Sequence, residues 1–279
     1  MNAKNDNKRL SHWIVCTISI VTAVAVHCLP DSAFAQKQEP VAKNKFMVFG
    51  NTYVTNPKVA TASILASINK AVQDANIDFV IIVGELTLGA TVDQFAAVKQ
   101  VIDTSPVPVY VTASNHDLVY ANGDWKSGKH DDYARFSKML NTQTEYTIPQ
   151  GRSLFIMQSH KGGVGTRFTN NELAKIENTT SYDFVYQVVE ESLGTDINLK
   201  SKPIIGINGG NKGVHQYIVS DHHAKVVPIE HKRTDEEDDY LIFKENEGSV
   251  TVDSYIDRKL NKSFKIMIDR VSRTCSIER

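Results

Sequence analysis

The chain has 279 residues, of which 41% are hydrophobic and 23% are charged, a composition typical of a globular protein. Its 31 lysine and arginine residues nearly balance its 32 aspartate and glutamate residues, so that the net charge is −1. A chain without a basic excess has no electrostatic footprint for phosphate backbones, and we expect no nucleic-acid partner.

The first 35 residues have the pattern of a secretory signal peptide. The pattern consists of a basic start, an apolar stretch and an A-x-A cleavage site: Lys4, Lys8, Arg9, Trp13 to Val26, and Ala33-Phe34-Ala35. We predict a signal peptide over residues 1–35, a mature chain from Gln36, and export to a bacterial periplasm or the medium. The apolar stretch is short for a membrane span, so we expect no span after cleavage, with an uncleaved anchor as the alternative.

Signal removal leaves about 244 residues, the size of one α/β domain. Residues 36–45 are polar and contain Pro40, which predicts a flexible mature N-terminus, and residues 46–279 then form a single domain. Cleavage of the signal peptide removes Cys16 and Cys28, so Cys275 has no other cysteine in the mature chain with which to form a disulfide. We expect packing rather than disulfides to stabilise the fold.

The chain between Phe46 and Thr112 alternates between apolar runs and helical spacings. The predicted strands are Phe46–Phe49, Phe79–Val83 and Val109–Thr112, and the predicted helices are Ala60–Ala75 and Val92–Ile102. A β-α-β-α-β order predicts parallel strands joined by right-handed crossovers. Near-continuous apolar strands predict helices on both faces of the sheet.

The second half reads as mostly β, with a short helix over Asn170–Glu177 capped by Thr169. The further predicted strands are Ser153–Met157, Tyr182–Val189, Pro203–Ile207, His215–Val219, Ala224–Ile229, Tyr240–Phe243 and Ser263–Val271. We expect these strands to be antiparallel and interrupted by the charged segment Lys232–Asp239.

A small polar turn follows each of the first three strands. The turns contain Gly50-Asn51-Thr52-Tyr53, Gly84-Glu85 and Ser114-Asn115-His116-Asp117. Ligand sites of open α/β sheets lie at the carboxyl ends of the strands. We therefore expect residues 51, 85 and 115 to lie side by side.

The order and spacing of these turns resemble the calcineurin-like metallophosphoesterases, whose motifs run D-x-H or G-D, then G-D-x-x, then G-N-H-D/E. The resemblance covers Phe46 to Ile176 and implies an α/β fold, a metallophosphoesterase-like layered sandwich of mixed β-sheets flanked by helices. It implies Asn115 as a metal ligand through its amide oxygen. It also implies His116 as the acid facing the phosphate and Asp117 as the residue that orients His116.

Several ligand positions depart from the family pattern. Glu85 stands at the bridging aspartate, Asn51 at the first aspartate and Tyr53 at the histidine of D-x-H. In the purple acid phosphatase variant, the G-D-x-x-Y tyrosine corresponds to Leu88, which has no donor. These changes imply a dinuclear centre that is weakened or lost, with a divalent metal such as manganese, zinc or iron at reduced stoichiometry, or with none.

The family also places imidazoles after later strands, including a G-H-x-H pair that this chain lacks. The segment Ile204–Gly210 lies where that strand and turn are expected, but it contains no histidine. The candidates for the missing ligands are four histidines of the second half: His160, His215, His222 and His223.

Three functions follow from these observations. The favoured one is an exported, degenerate family member that binds an anionic or phosphorylated small molecule or an envelope protein, because so little negative charge cannot hold two divalent cations. The second is an active metal-dependent phosphoric ester hydrolase in which Glu85, Asn115, His116 and later histidines bind the metal. The third is an unrelated secreted α/β binding domain, which requires that residues 51, 85 and 115 do not lie side by side.

Overall fold

The structure is a computed structural model that describes residues 43–118, 133–159, 170–178, 181–189, 199, 203–208, 218–220, 223–226, 239–269, 271–272 and 274–278. The predicted signal peptide, the helix cap at Thr169 and most of the charged segment 232–239 lie outside these residues. No helix in this part of the chain is long and apolar enough to cross a membrane.

The described strands, in chain order, are β1 Lys45–Gly50, β2 Phe79–Val83, β3 Val109–Thr112, β4 Glu145–Gln150, β5 Ser153–Gln158, β6 Phe184–Val189, β7 Ile204–Asn208, β8 Ile218–Ser220, β9 His223–Val226, β10 Tyr240–Asn246, β11 Ser249–Ile256, β12 Lys259–Asp269 and β13 Thr274–Glu278. The α-helices are α1 Pro57–Ala75, α2 Val92–Thr104, α3 Ala134–Leu140 and α4 Asn170–Asn178. A single 3₁₀ turn, Asn115–Asp117, follows β3. The strands and helices predicted between Phe46 and Thr112 are therefore confirmed, with ends that differ by a few residues.

The first sheet has the strand order β13-β12-β11-β10-β1-β2-β3. Strands β1, β2 and β3 are parallel, as predicted, and α1 and α2 are their crossover helices. Strand β10 pairs antiparallel with β1, and β11 to β13 extend the sheet as an antiparallel meander. The C-terminal part of the chain therefore completes the sheet that begins at Lys45.

The second sheet has the order β4-β5-β6-β7-β9-β8. The expectation of an antiparallel second half is wrong for its centre, because β5, β6, β7 and β9 are parallel. Apolar runs predict a strand but not its direction, and long connections such as the one containing α4 allow parallel pairing. Strand β4 was also not predicted: it contains Pro149, and proline is tolerated at the edge of a sheet, where β4 lies.

Four layers result from the way these elements bury their apolar faces. Phe46 of the first sheet and Phe155 of the second meet in the hydrophobic cluster between the sheets, with ring centroids 5.0 Å apart. Helices α1 to α3 cover the outer face of the first sheet, and α4 packs through Ile176 on the outer face of the second. The predicted layered sandwich of mixed sheets flanked by helices is confirmed.

The parallel strands of both sheets end at the same pole. The backbone N–H of Ala113, after β3, donates to the hydroxyl of Ser159, after β5, at 2.9 Å. At the opposite pole the buried Glu245 of β10 accepts hydrogen bonds from Asn44, Ser153 and Tyr186, which belong to both sheets. The site described below lies at the first pole.

Candidate functional site

The three polar turns are joined to one another by hydrogen bonds. The N–H of Tyr53 donates to the carbonyl oxygen of Glu85 at 2.8 Å, and the N–H of Asn51 donates to that of Gly84 at 3.2 Å. The N–H of Glu85 in turn donates to the hydroxyl of Ser114 at 2.9 Å. The turns after β1, β2 and β3 therefore lie side by side, which is the arrangement that an unrelated binding domain was expected to lack.

The backbone of these turns adopts conformations that side chains normally avoid. Asn51, Tyr53 and Glu85 have φ angles of 55°, 39° and 45°, in the left-handed region. Such conformations cost on the order of 1–3 kcal/mol each and are concentrated at functional sites. The strands also approach closely here, because a Cβ on Gly50 would lie 2.5 Å from the carbonyl oxygen of Val83.

Glu85 forms the floor of the site. Its side chain is fully buried, and its Oε1 atom lies 3.8 Å from Nε2 of His116, whose side chain is 32% exposed. The other ring nitrogen of His116, Nδ1, lies 2.9 Å from the carbonyl oxygen of Leu88. The imidazole therefore stands between a buried carboxylate and a backbone carbonyl, at the opening of the site.

Tyr53 occupies the position at which the family pattern has a metal-binding histidine. Its side chain is 4% exposed, and its ring packs edge to face on that of His116, with centroids 5.3 Å apart at 81°. The first turn therefore contributes an aromatic ring and the amide of the buried Asn51, rather than a carboxylate and an imidazole.

The carboxylate of Asp117 does not have the orienting role expected for it. Its Oδ2 accepts from the N–H groups of Leu86 and Ser114, and its Oδ1 accepts from the N–H and hydroxyl of Thr87. The backbone carbonyl of Leu88 orients His116 instead. Burial raises the pKa of Asp117 to about 6, while these hydrogen bonds favour its charged form.

The later histidines do not add a described ligand to the site. His160, His215 and His222 lie outside the described residues, and only the backbone of His223 is described. His223 begins β9 and pairs with Ile204, the first residue of β7, so it lies at the amino ends of these strands rather than at the site. Within the described ranges, no group of three His, Cys, Asp or Glu side chains is placed to hold a metal ion.

Two contributors to the site could not be found from motif positions. Leu88 was assigned no donor because its side chain has none, yet its backbone carbonyl binds the imidazole. Ser114, at the glycine position of the G-N-H-D/E motif, is extended with φ −126°, and its hydroxyl accepts the hydrogen bond from the N–H of Glu85. The only sequence signal for either residue is its position in a turn that follows a buried strand.

Comparison with sequence profiles of protein families gives no match. Comparison with curated protein sequences also gives none. Comparison with solved structures does give matches. A purple acid phosphatase, PPD1, from yellow lupin (Lupinus luteus) seeds superposes with a TM-score of 0.58 at 14% identity, over 84% of this chain and 55% of that chain. This chain thus spans about half the length of that phosphatase.

Two further solved structures are matched over nearly the whole length of their own chains. A dimetal phosphatase from Danio rerio superposes with a TM-score of 0.52 at 7% identity, over 78% of this chain and 98% of that chain. GAP50, described as the anchor in the inner membrane complex of Plasmodium, superposes with a TM-score of 0.50 at 10% identity, over 82% of this chain and 92% of that chain. At these identities the likeness shows a shared fold.

Proposed function

We propose that this chain, which has the calcineurin-like metallophosphoesterase fold, is an exported binding protein whose strand-end site holds at most one metal ion. The observation that carries the proposal is the burial of Tyr53 against His116, because an aromatic ring fills the place of an imidazole ligand. Phosphoric ester hydrolysis at a dinuclear centre is then not its activity.

The charges around the site support this reading. A dinuclear centre places two divalent cations about 3.5–4 Å apart and needs several anionic ligands to hold them. The described carboxylates on the three turns are those of Glu85 and Asp117, and the carboxylate of Asp117 accepts hydrogen bonds from backbone N–H groups. One carboxylate and the amides of Asn51 and Asn115 suit a single, weakly held cation.

The partner that we propose is a protein of the cell envelope. GAP50 provides a precedent, since a protein of this fold is described there as an anchor in a membrane complex. Beside the site, Leu88 and Val92 are 37% and 56% exposed and offer apolar contact. A free anion would be repelled by the buried carboxylate of Glu85. A phosphorylated small molecule would therefore need a bound cation to neutralise this repulsion.

An active hydrolase with remodelled ligands is the second candidate. It is favoured by one observation: a carboxylate and an imidazole, Glu85 and His116, converge at the strand ends. Its metal ligands would be these two side chains together with Asn115, and the bound metal would supply Lewis-acid activation of a phosphate and of water.

Phosphatase activity separates the two candidates. The mature chain, residues 36–279, is purified, reconstituted with manganese, zinc or iron, and assayed with p-nitrophenyl phosphate beside Asn115→Ala. We expect no metal-dependent turnover above that of the variant. Metal-dependent turnover that Asn115→Ala abolishes would overturn the proposal and support the hydrolase.

Export is tested separately. The full chain, expressed in a bacterium with a secretory pathway, should yield a product in the periplasm or the medium whose N-terminal residue is Gln36. Recovery of the uncleaved chain in the membrane fraction would point to the alternative, an N-terminal anchor.

A further inference from the structure

The hairpin between β11 and β12 lies at the pole at which the parallel strands end. Because β10 is antiparallel to β1 and β11 is antiparallel to β10, β11 runs in the same direction as β1 and ends at the same pole. The side chains from Lys259 to Ser263 are all exposed. Side chains of a strand alternate between the two faces of its sheet, so these consecutive exposed residues show that neither face is covered here.

The hairpin has a defined shape although it is exposed. Its two turn residues, Asp257 and Arg258, have φ angles of 49° and 61°, the pair of positive angles that a type I′ turn requires. The N–H of Asp257 donates to Oδ1 of Asp239 at 3.2 Å. At the base of the hairpin the ring of Tyr255 stacks on that of the buried Tyr240, with centroids 4.8 Å apart. The turn therefore presents its side chains in a fixed arrangement.

Exposed apolar side chains are concentrated at this pole. Six large apolar side chains are exposed among the described residues, and one of them, Val271, lies at the opposite end of β12. The other five lie in connections or element ends at the pole of the site: Val59, Leu88, Val92, Ile256 and Leu260. Single exposed apolar residues are ordinary, but their concentration at one pole indicates a surface that contacts another body.

The hairpin also carries a local excess of positive charge. Its cations are Arg258, Lys259, Lys262 and Lys265. Asp257 is the only acidic residue of the segment 256–265, so four cations and one anion give this segment a net charge of +3, in a chain whose net charge is −1. The exposed Ile256 and Leu260 flank the turn and lie among these cations.

Protection of the sheet edge explains the lysines but not the apolar residues. Strand β13 pairs with β12 from Lys265 to Asp269, so the described strands leave the first part of β12 without a neighbour on that side. Lysines and a bulge, which lies at Ser254 and Tyr255, discourage the pairing of such an edge with another chain. An exposed leucine at the same edge favours association, so Leu260 is better explained by a surface that it contacts.

A membrane surface that contains anionic lipid complements this hairpin. Its phosphates attract lysine and arginine, and the boundary between headgroups and acyl chains accepts apolar side chains. The hairpin follows β11, three strands from β2, and therefore lies roughly 14 Å from the turn that contains Leu88, at about 4.8 Å per strand. Apolar side chains that far apart do not form the contiguous apolar core of a protein interface, whereas a flat lipid surface can contact them all.

We propose that the β11–β12 hairpin docks this protein on a membrane that contains anionic lipid. Ile256 and Leu260 enter the headgroup region, and the flanking lysines contact lipid phosphates. The contact is peripheral, and it turns the strand-end site toward the membrane, where the envelope protein proposed above would be met. The inference goes beyond the proposed function and does not depend on it.

Vesicle sedimentation tests the inference. The mature chain, residues 36–279, contains all the described elements and is incubated with phosphatidylcholine vesicles that contain either no anionic lipid or about 30 mol% phosphatidylglycerol. We expect binding to the anionic vesicles to be at least about tenfold tighter and to weaken as the salt concentration rises. The assay contains neither a metal ion nor a phosphate monoester, so phosphatase turnover, which would overturn the proposed function, does not affect it.

Two variants separate the contributions of charge and of apolar contact. The double variant Lys259→Glu, Lys262→Glu should bind anionic vesicles at least about 25-fold more weakly, because each cation near such a surface contributes about fivefold. Leu260→Ser should bind them at least about fivefold more weakly, because it removes the side chain that enters the headgroup region.

The chain offers a matched control for each variant. The double variant Lys70→Glu, Lys99→Glu makes the same change in net charge at exposed positions of α1 and α2. Val271→Ser removes an apolar side chain that is 94% exposed at the opposite pole. Both controls should bind anionic vesicles within about twofold of the wild type.

The substituted side chains are exposed, so circular dichroism should show that every variant is folded. A wild type that does not bind anionic vesicles would overturn the inference, as would wild-type binding that either hairpin variant keeps in full. Capture of an envelope protein that the hairpin variants lose, without vesicle binding by the wild type, would also overturn it and would assign the hairpin to a protein partner.

Discussion

The hydroxyl and the backbone N–H of Thr87 both donate to the same oxygen of Asp117, at 2.9 and 2.8 Å. Oδ2, the other oxygen of this carboxylate, accepts from Leu86 and Ser114. Asp117 thereby joins the turn after β2 to the turn after β3 and holds Glu85 and His116 in their relative positions. Its role at the site is to position backbone, and its carboxylate does not contact the imidazole that it was expected to orient.

Replacing Asp117 by asparagine should destabilise the fold. In Asp117→Asn an amide nitrogen takes the place of one oxygen, and the two buried donors that this oxygen accepted from lose their acceptor, at about 1–3 kcal/mol each. We expect the free energy of unfolding in urea to fall by about 2–6 kcal/mol. Asp74→Asn, at an exposed pair on α1, is the control and should change it by less than about 1 kcal/mol. Equal stabilities of the two variants would contradict the conclusion that Asp117 joins the turns after β2 and β3.

Adding a methyl group to Gly50 should disturb the first turn. The new Cβ would lie 2.5 Å from the carbonyl oxygen of Val83, so the paired strands β1 and β2 must separate. Overpacking of this kind costs about 1–3 kcal/mol. Gly89→Ala is a matched control, because its Cβ would approach nothing closer than the Gln94 side chain at 3.9 Å. Denaturation curves of both variants make the comparison, and a Gly50→Ala midpoint equal to that of Gly89→Ala would contradict the prediction.

Restoring the family ligands in the first turn should increase metal binding. Asn51→Asp and Tyr53→His together add a carboxylate and an imidazole at positions whose φ angles, 55° and 39°, aspartate and histidine tolerate comparatively well. We expect the metal content of the double variant to rise from at most one toward two ions per chain, measured by elemental analysis. Tyr53→Phe, which keeps the aromatic ring, should not raise it. An unchanged content in the double variant would indicate that the later ligands are also lost.

Stability should depend on pH through Glu245. Burial raises the pKa of this carboxyl above its usual 4.5, although the hydrogen bonds from Ser153, Asn44 and Tyr186 favour the charged form. The folded protein therefore holds the Glu245 proton more tightly than the unfolded chain, and this contribution to stability is lost as pH rises from about 4.5 through the raised pKa.

Glu245→Gln removes this titration and so provides the comparison. Urea unfolding of both proteins between pH 4 and pH 7 should show the stability of the wild type, relative to the variant, falling as pH rises. A difference that is constant or that increases with pH would show that the carboxyl is charged in the folded protein throughout this range.

The sequence predicts the first sheet better than it predicts the site. Apolar runs ended by glycine predict β1 and β2, and the crossover rule then makes the turns after them neighbours. The contact between Tyr53 and His116 depends on left-handed backbone at Tyr53, which no propensity predicts for a tyrosine.

The other differences between the sequence predictions and the structure also have physical origins that residue type does not reveal. The role of Leu88 belongs to its carbonyl group, which every residue has, so residue type carries no information about it. Asp117 adjoins His116 in the sequence, but the side chain turns toward the N–H groups of a neighbouring loop. Strand direction in the second sheet depends on connections whose path an apolar run does not encode.

The metal content of the purified mature chain tests the central claim most directly. After reconstitution with excess manganese, zinc or iron and removal of free metal, elemental analysis gives the number of ions per folded chain. We predict no more than one ion per folded chain and no hydrolysis of p-nitrophenyl phosphate. Two ions per chain together with turnover would contradict this prediction and would identify a hydrolase with unusual ligands.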